Sequence, residues 1–353
     1  MGFLARPAQA TPYASGLTNS NGTISFILNE SADSVKVIFD GGASTSDLGA
    51  LTAGKHSFSL GAATAFRIAV TKIAAPGYLQ GVLNQISVDT NVFVTFVNQR
   101  GVAVNKNPTS PYFGRIYVSV GATGANATSG RSVGDGIYVL NADQTDALGQ
   151  GNIALTGGLA FSTTSAESPH RLVLGPDDNL YINDWSDATG TLYVTDPNVS
   201  GGANVLDGTG GPFPITSARI HGSISAAHVE GSLATGDLVV YVIDEDLQTD
   251  RDSTTQSERN AIWRWDIGAG PLPSTVAPIF ISDAGIDFAG QLADLARGPD
   301  GKFYKTQRRA EPATSAGIYV LSDDGSTVLW DSRTATRDFL GNATANDLLG
   351  ETC

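Results

Sequence analysis

Two histidines stand at matching places in the chain. His170 opens the run HRLVLG and His221 precedes GSISAA, and each comes just before a strand-like stretch. Two imidazoles held at one level of a site could serve as a general base and its partner, or could ligate a metal. The bland alternative is that each hydrogen-bonds a neighbouring backbone and holds two elements together. Arg100 in NQRGVAV, Arg171 beside His170 and Asp294 in LADLARG fall at related places. Acids and an amide close other strand-like runs: Asn183-Asp184 after LYI, and Asp244-Glu245-Asp246 after LVVYVI. Hard oxygen donors at this density suit Ca2+. A turn made by side-chain to backbone bonds explains Asn183-Asp184 as readily, and a solvated loop explains the acidic run, which continues as Asp250-Arg251-Asp252. Glu311 follows a strand end related to that of Asp184.

Several chemistries are set aside. The chain has no GxSxG elbow, and no P-loop, dinucleotide fingerprint or HExxH. Its single cysteine, Cys353, is the last residue, so no internal disulfide forms. The net charge of −14 repels nucleic acid and anionic membrane. No apolar run approaches the ~20 residues of a membrane span. Near the start, Ala8-Gln9-Ala10 fits the small-x-small pattern before a signal cleavage site, after an apolar core that is too short. Residues 1–16 are expected to be a leader or the tail of an export signal beginning upstream of Met1, which implies a secreted or periplasmic protein.

The elements that must position these residues are short strands. Forty-one glycines and only 16% charged residues favour tight turns over helices, so the expected class is all-β. Residues 17–75 alternate apolar and polar residues over Thr23–Leu28, Ser34–Phe39, Lys55–Leu60 and Ala65–Thr71. The run Asn29–Asp33 is expected to be a hairpin connection, and His56 a solvent-facing strand residue. Residues 76–84 lie in a Pro/Gly linker. From 85 to 353 a scheme of first, second and third strand recurs. HRLVLGPDDNLYINDW aligns with ADLARGPDGKFYKTQR, and GIYVLNAD, TLYVTDPN and GIYVLSDD align as third strands. Equivalent first-strand positions are Gly101, Arg171, Gly222 and Asp294, at intervals of 70, 51 and 72 residues. A repeat of three or four strands at such a period predicts a β-propeller, here of about five or six blades. First strands line the central channel of a propeller, which would gather Arg100, His170, Arg171, His221 and Asp294. Trp185, Trp263, Trp265 and Trp330 are expected to pack between blades. His228 is expected at a strand end or in a loop.

The repeats resemble those of the calcium-dependent propeller superfamily that includes gluconolactonases, paraoxonases and strictosidine-synthase-like proteins, and also non-enzymatic NHL repeats. Residues 17–75 resemble immunoglobulin-like modules of secreted bacterial proteins. The superfamily resemblance implies a Ca2+-dependent hydrolase of lactones, sugar lactones or N-acyl-homoserine lactones, with a small ester or lactone as its partner. It implies metal ligands among Asn183, Asp184, Asp244 and Asp294, a channel base at His170 or His221, and substrate contacts at Arg100 and Arg171. A phytase-like phosphatase is a close variant. The NHL resemblance implies instead a non-catalytic extracellular module that binds a glycan, a protein or the cell surface.

Overall fold

The computed structural model describes residues 12–72, 87–88, 90–161, 168–186, 190–206, 223–244, 261–282, 293–307, 317–332 and 334. Among them are 23 β-strands and no α-helix.

The first six strands form two three-stranded antiparallel sheets. One contains β1 (Ala14–Ser20), β2 (Thr23–Leu28) and β5 (Gly54–Ser59); the other contains β3 (Ala32–Phe39), β4 (Ser44–Leu51) and β6 (Phe66–Thr71). Their alternating apolar residues meet in one cluster, with Ile24, Phe26, Leu28 and Phe58 from the first sheet and Val35 and Val37 from the second. Strand β2 pairs only with β1 and β5, and β3 only with β4 and β6. Asn29–Asp33 is therefore a crossing between sheets, not the hairpin that the sequence suggests. β1 also begins at Ala14, inside the expected leader, and it pairs along β2 from Leu28 to Thr23. His56 is half-buried rather than solvent-facing. Its ring lies 5.7 Å from that of Phe26, and its Nε2 is 2.8 Å from the Thr52 carbonyl. The linker 76–84 lies outside the described residues.

The later strands form successive antiparallel meanders. The first has β7 (Gln99–Val104), β8 (Ile116–Val120) and β11 (Gly136–Leu140), with the short pair β9 (Gly124–Ala125) and β10 (Ser132–Val133) beside it. The second runs β12 (Leu172–Leu174), β13 (Leu180–Asn183), β14 (Leu192–Thr195) and β15 (Gly202–Asn204). The third runs β16 (Ile224–Glu230), β17 (Leu238–Asp244), β18 (Ala261–Gly268) and β19 (Ile279–Ser282). The fourth runs β20 (Ala293–Arg297), β21 (Phe303–Gln307), β22 (Ile318–Leu321) and β23 (Val328–Asp331). The three aligned sequence motifs are β11, β14 and β22, each the third strand of its sheet.

Each meander is apolar on both faces, so it needs a neighbour on either side. Tyr117, Ile137 and Val139 of the first pack on Leu172, Leu180 and Ile182 of the second. Tyr181, Leu192 and Val194 of the second pack on Ile224, Val240 and Trp263 of the third. Tyr241, Ile243 and Ile262 of the third pack on Leu295, Phe303 and Leu321 of the fourth. Trp263 and Trp265 are fully buried in the cluster that joins the second and third meanders, as packing residues should be. The first strands follow the same order, with β12 against β7 and β16, and β16 against β20.

The aligned Gly-Pro-Asp turns are built alike. A Cβ on Gly175 would stand 2.6 Å from Asp177 Oδ1 and 2.8 Å from the Tyr181 ring; on Gly298 it would stand 2.7 Å from Asp300 Oδ1 and 2.9 Å from the Tyr304 ring. Close approach fixes glycine at both places, and the aspartate carboxylates cap the turns through the backbone N–H of Asn179 and Lys302.

Candidate functional site

The first strands β7, β12, β16 and β20 line one cavity of about 730 Å3, a size typical of small-molecule sites. Its walls are largely apolar and include Val102, Val104, Leu172, Leu174, Val229 and Leu295. Val102 is 64% exposed and Val104 37%, so apolar surface faces open space here.

At the end where the first strands begin, the antiparallel register of β12 and β13 puts His170 and Arg171 beside Asn183 and Asp184. The His170 N–H donates to the Asn183 carbonyl at 2.8 Å, and the Asn183 N–H donates to the Arg171 carbonyl at 3.0 Å. The two candidate pairs at the edges of this hairpin thus share one end. Arg100, near the start of β7, is close enough to act on the His170 ring electrostatically. Arg171 Nη1 lies 3.8 Å from Asp294 Oδ2 on β20. Arg100, His170, Arg171 and Asp294 therefore come together from three sheets, and of the four Asp294 lines the cavity. His221, Glu245, Asp246 and Glu311 lie outside the described residues.

The side chains differ in what they can do. His170 is only 3% exposed. Its ring bonds to the Ser225 backbone in the third meander and lies 5.6 Å from the Trp185 ring. Burial, reinforced by Arg171 and Arg100, lowers its pKa to about 3, so the imidazole is neutral at pH 7. Its Nδ1 is buried without a hydrogen-bond partner. This is the arrangement of a clamp between sheets, because a general base must reach water and substrate.

Asn183 is a second clamp. With its amide oxygen turned toward β16 it accepts from the N–H groups of Ala226 and Ala227, both at 3.3 Å. The register shift between Ile224 and Ala226 leaves these amides available to a side chain. Asp184 is fully buried, accepting from the Ser168 hydroxyl and, at 3.2 Å, from Tyr193 Oη. Asp244 is buried at the end of β17. Among the described residues, no three His, Cys, Asp or Glu side chains come together to hold a metal. The donors expected to hold Ca2+ do not fit it as a set: the Asn183 amide is spent on β16, and Asp294 sits against Arg171.

Three participants have no clear signal in the sequence. Asp135, between Gly134 and Gly136, has one carboxylate oxygen buried without a partner. Burial, and then the nearby charge of Asp184, raise its pKa to about 6. His228 lies inside β16 rather than at a strand end or in a loop, because β16 pairs on to Glu230 opposite Val239. It lines the cavity, with Nε2 3.5 Å from Glu230, which Arg297 holds through two hydrogen bonds. Burial lowers the His228 pKa, leaving a neutral ring on the cavity wall. Asp178, a turn residue by sequence, accepts from Asn105 at 2.9 Å and Asn107 at 3.3 Å and so ties the first two meanders at the far end. The only hint of His228 is its place two residues from Ala226 and Glu230 in an alternating run.

No family model matches the chain. No curated protein matches it either. Among solved structures, it is similar to a protein of unknown function from Bacteroides thetaiotaomicron VPI-5482, at 14% identity and a TM-score of 0.37, covering 90% of this chain and 71% of that one. It is also similar to a protein of unknown function from Bacteroides caccae, at 12% identity and a TM-score of 0.33, covering 92% and 83%. Likenesses at these scores carry no weight for fold or function.

Proposed function

We propose that the four meanders are consecutive blades of a β-propeller of five or six blades, preceded by a small immunoglobulin-like sandwich, and that the protein is a non-catalytic secreted binding module whose ligand enters the axial cavity. The observation that carries the reading is the cavity between the first strands, with exposed valines on its wall. The pairwise stacking of the sheets supports the ring. The state of His170 favours binding over catalysis, because the ring is neutral, buried and bonded to the next sheet.

The test is binding of an uncharged apolar fluorophore, N-phenyl-1-naphthylamine. Fluorescence should rise on mixing and saturate. Val102→Trp, which narrows the cavity from its exposed wall, should weaken the rise. An equal response from that variant overturns the reading.

The Ca2+-dependent lactonase is the second reading, and the observation in its favour is the unpartnered buried oxygen of Asp135 close to the Asp184 carboxylate. Assays of sugar lactones, acyl-homoserine lactones, aryl esters and phytate, each with EDTA and with added Ca2+, decide it. Turnover that EDTA removes and Ca2+ restores would support this reading against the binding module.

A further inference from the structure

We infer that the cavity takes a neutral amphiphilic alcohol: an apolar body along the strand walls and a hydroxyl that donates a hydrogen bond to the His228 ring. This rests on the binding reading above and adds a ligand class and a specificity residue to it. His228 lies in β16, on a wall shared with Leu172, Leu174, Val229 and Leu295. The ring is held on two sides. Its centroid is 6.2 Å from that of Tyr241, and its Nε2 is 3.5 Å from Glu230 Oε1. Arg297 Nη1 donates to both oxygens of Glu230, at 2.9 and 3.1 Å, and so fixes the carboxylate in place.

That arrangement selects one tautomer. Burial keeps the His228 ring neutral at pH 7, with a single N–H. A carboxylate only accepts, so the N–H is favoured on Nε2, toward Glu230, and the lone pair falls on Nδ1. Among the described residues Nδ1 has no hydrogen-bond partner. The ring is 23% exposed and forms part of the cavity wall, so the wall carries an unspent acceptor. A ligand must bring the donor. The rest of the lining favours a neutral one. Asp294 lies against Arg171, Asp178 accepts from Asn105 and Asn107, and Lys106 is exposed. Valines that stay exposed are covered by an apolar body, beside which a charged head would lose its water. A hydroxyl loses water at less cost, and Nδ1 replaces the lost partner.

The experiment compares 1-decanol with its isomer 1-methoxynonane by displacement of N-phenyl-1-naphthylamine from the full chain. The two have the same atoms, but the ether cannot donate. 1-Decanol should bind about tenfold more tightly, the factor that one hydrogen bond represents. His228→Phe keeps a ring beside Tyr241 and removes both nitrogens; it should erase the preference, whatever it does to the two affinities together. Asp294→Ala, which removes the other acceptor facing the cavity, should leave the preference intact. A second measurement uses the wild type alone. In 15N spectra of its histidines, the Nδ1 resonance of His228 should move on saturation with 1-decanol and stay in place with the ether. Equal binding of the two isomers, loss of the preference in Asp294→Ala rather than His228→Phe, or an Nδ1 resonance that ignores 1-decanol overturns the inference while the binding reading stands. If the probe itself does not bind the cavity, the binding reading falls and takes this inference with it.

Discussion

Arg171 and Asp294 lie 3.8 Å apart although they belong to the second and fourth meanders, whose sequences are separated by the whole of the third. The Asp294 side chain is 53% exposed, so the pair is screened by water and contributes little net stability. Asp294→Asn is therefore expected to leave the unfolding free energy within about 1 kcal/mol of the wild type, with the difference shrinking at high salt. Urea unfolding of both proteins at low and high salt checks this, and a loss of several kcal/mol contradicts it.

His170 makes a different prediction, about the pH dependence of stability. Its folded pKa is about 3, against an unperturbed 6.5. Between those values the unfolded chain takes up a proton that the folded chain refuses, so stability falls as pH drops below 6.5. The loss from this group alone is about 2 kcal/mol by pH 5. His170→Ala should lower stability at pH 7 by roughly 2–4 kcal/mol, through the lost bond to Ser225 and the space left beside Trp185. It should also flatten the acid limb. Denaturant unfolding at pH 7 and pH 5 measures both effects, and a variant with an unchanged acid slope would show that the ring is not buried neutral.

The strands of the repeats are legible in the sequence because alternation and Gly-Pro-Asp turns are local signals. Third strands read from GIYVLNAD, TLYVTDPN and GIYVLSDD are third strands in the structure. Pairing partners are less legible. Thr23–Leu28 and Ser34–Phe39 read as a hairpin, yet they belong to two sheets, since partner choice rests on β1, β4, β5 and β6. Strand β4, STSDLGAL, has too few apolar residues to be recognised alone, and its pairing with β3 defines it. At the candidate site, Arg100, His170, Arg171 and Asp294 can be grouped from the repeat. What His170 does depends on the backbone of Ser225, and what Asn183 does on Ala226 and Ala227, and no local pattern carries those contacts.

The packing of β7 on β12 has a test of its own. A Cβ on Gly101 would lie 2.7 Å from the His170 carbonyl and 3.0 Å from Arg171 Cα, and both obstacles are backbone. Neither can turn aside as a side chain can. Gly101→Ala is expected to cost about 1–3 kcal/mol by forcing the two first strands apart. Gly130→Ala is a poor control despite open space around it, because its φ of +72° strains any side chain. A better comparison is Gly134→Ala, where the nearest atoms stand at 3.8 Å and the backbone is ordinary. Urea midpoints for the two variants should differ by most of the predicted cost. A Gly101→Ala protein as stable as Gly134→Ala would mean that β7 and β12 are not packed so closely.

Asp135 works against His170 over part of the same pH range. Its folded pKa is raised to about 6 from an ordinary 3.8, chiefly by burial. Between those values the folded protein holds a proton that the unfolded chain has released, so this group's contribution to stability is present below about pH 4 and is lost as pH rises through 6. Above pH 6 the carboxylate is charged, with one oxygen buried without a partner and with Asp184 nearby. Asp135→Asn removes that charge at nearly constant shape. It should raise the melting temperature at pH 8, and raise it less or lower it at pH 4.5, where the wild-type acid is protonated. The variant should also show a steeper loss of stability from pH 6.5 to pH 4.5 than the wild type, because the opposing titration of Asp135 is gone and that of His170 remains. Melting curves at pH 8, 6.5 and 4.5 for both proteins check the sign at each step, and a variant that gains more at pH 4.5 than at pH 8 would contradict the raised pKa.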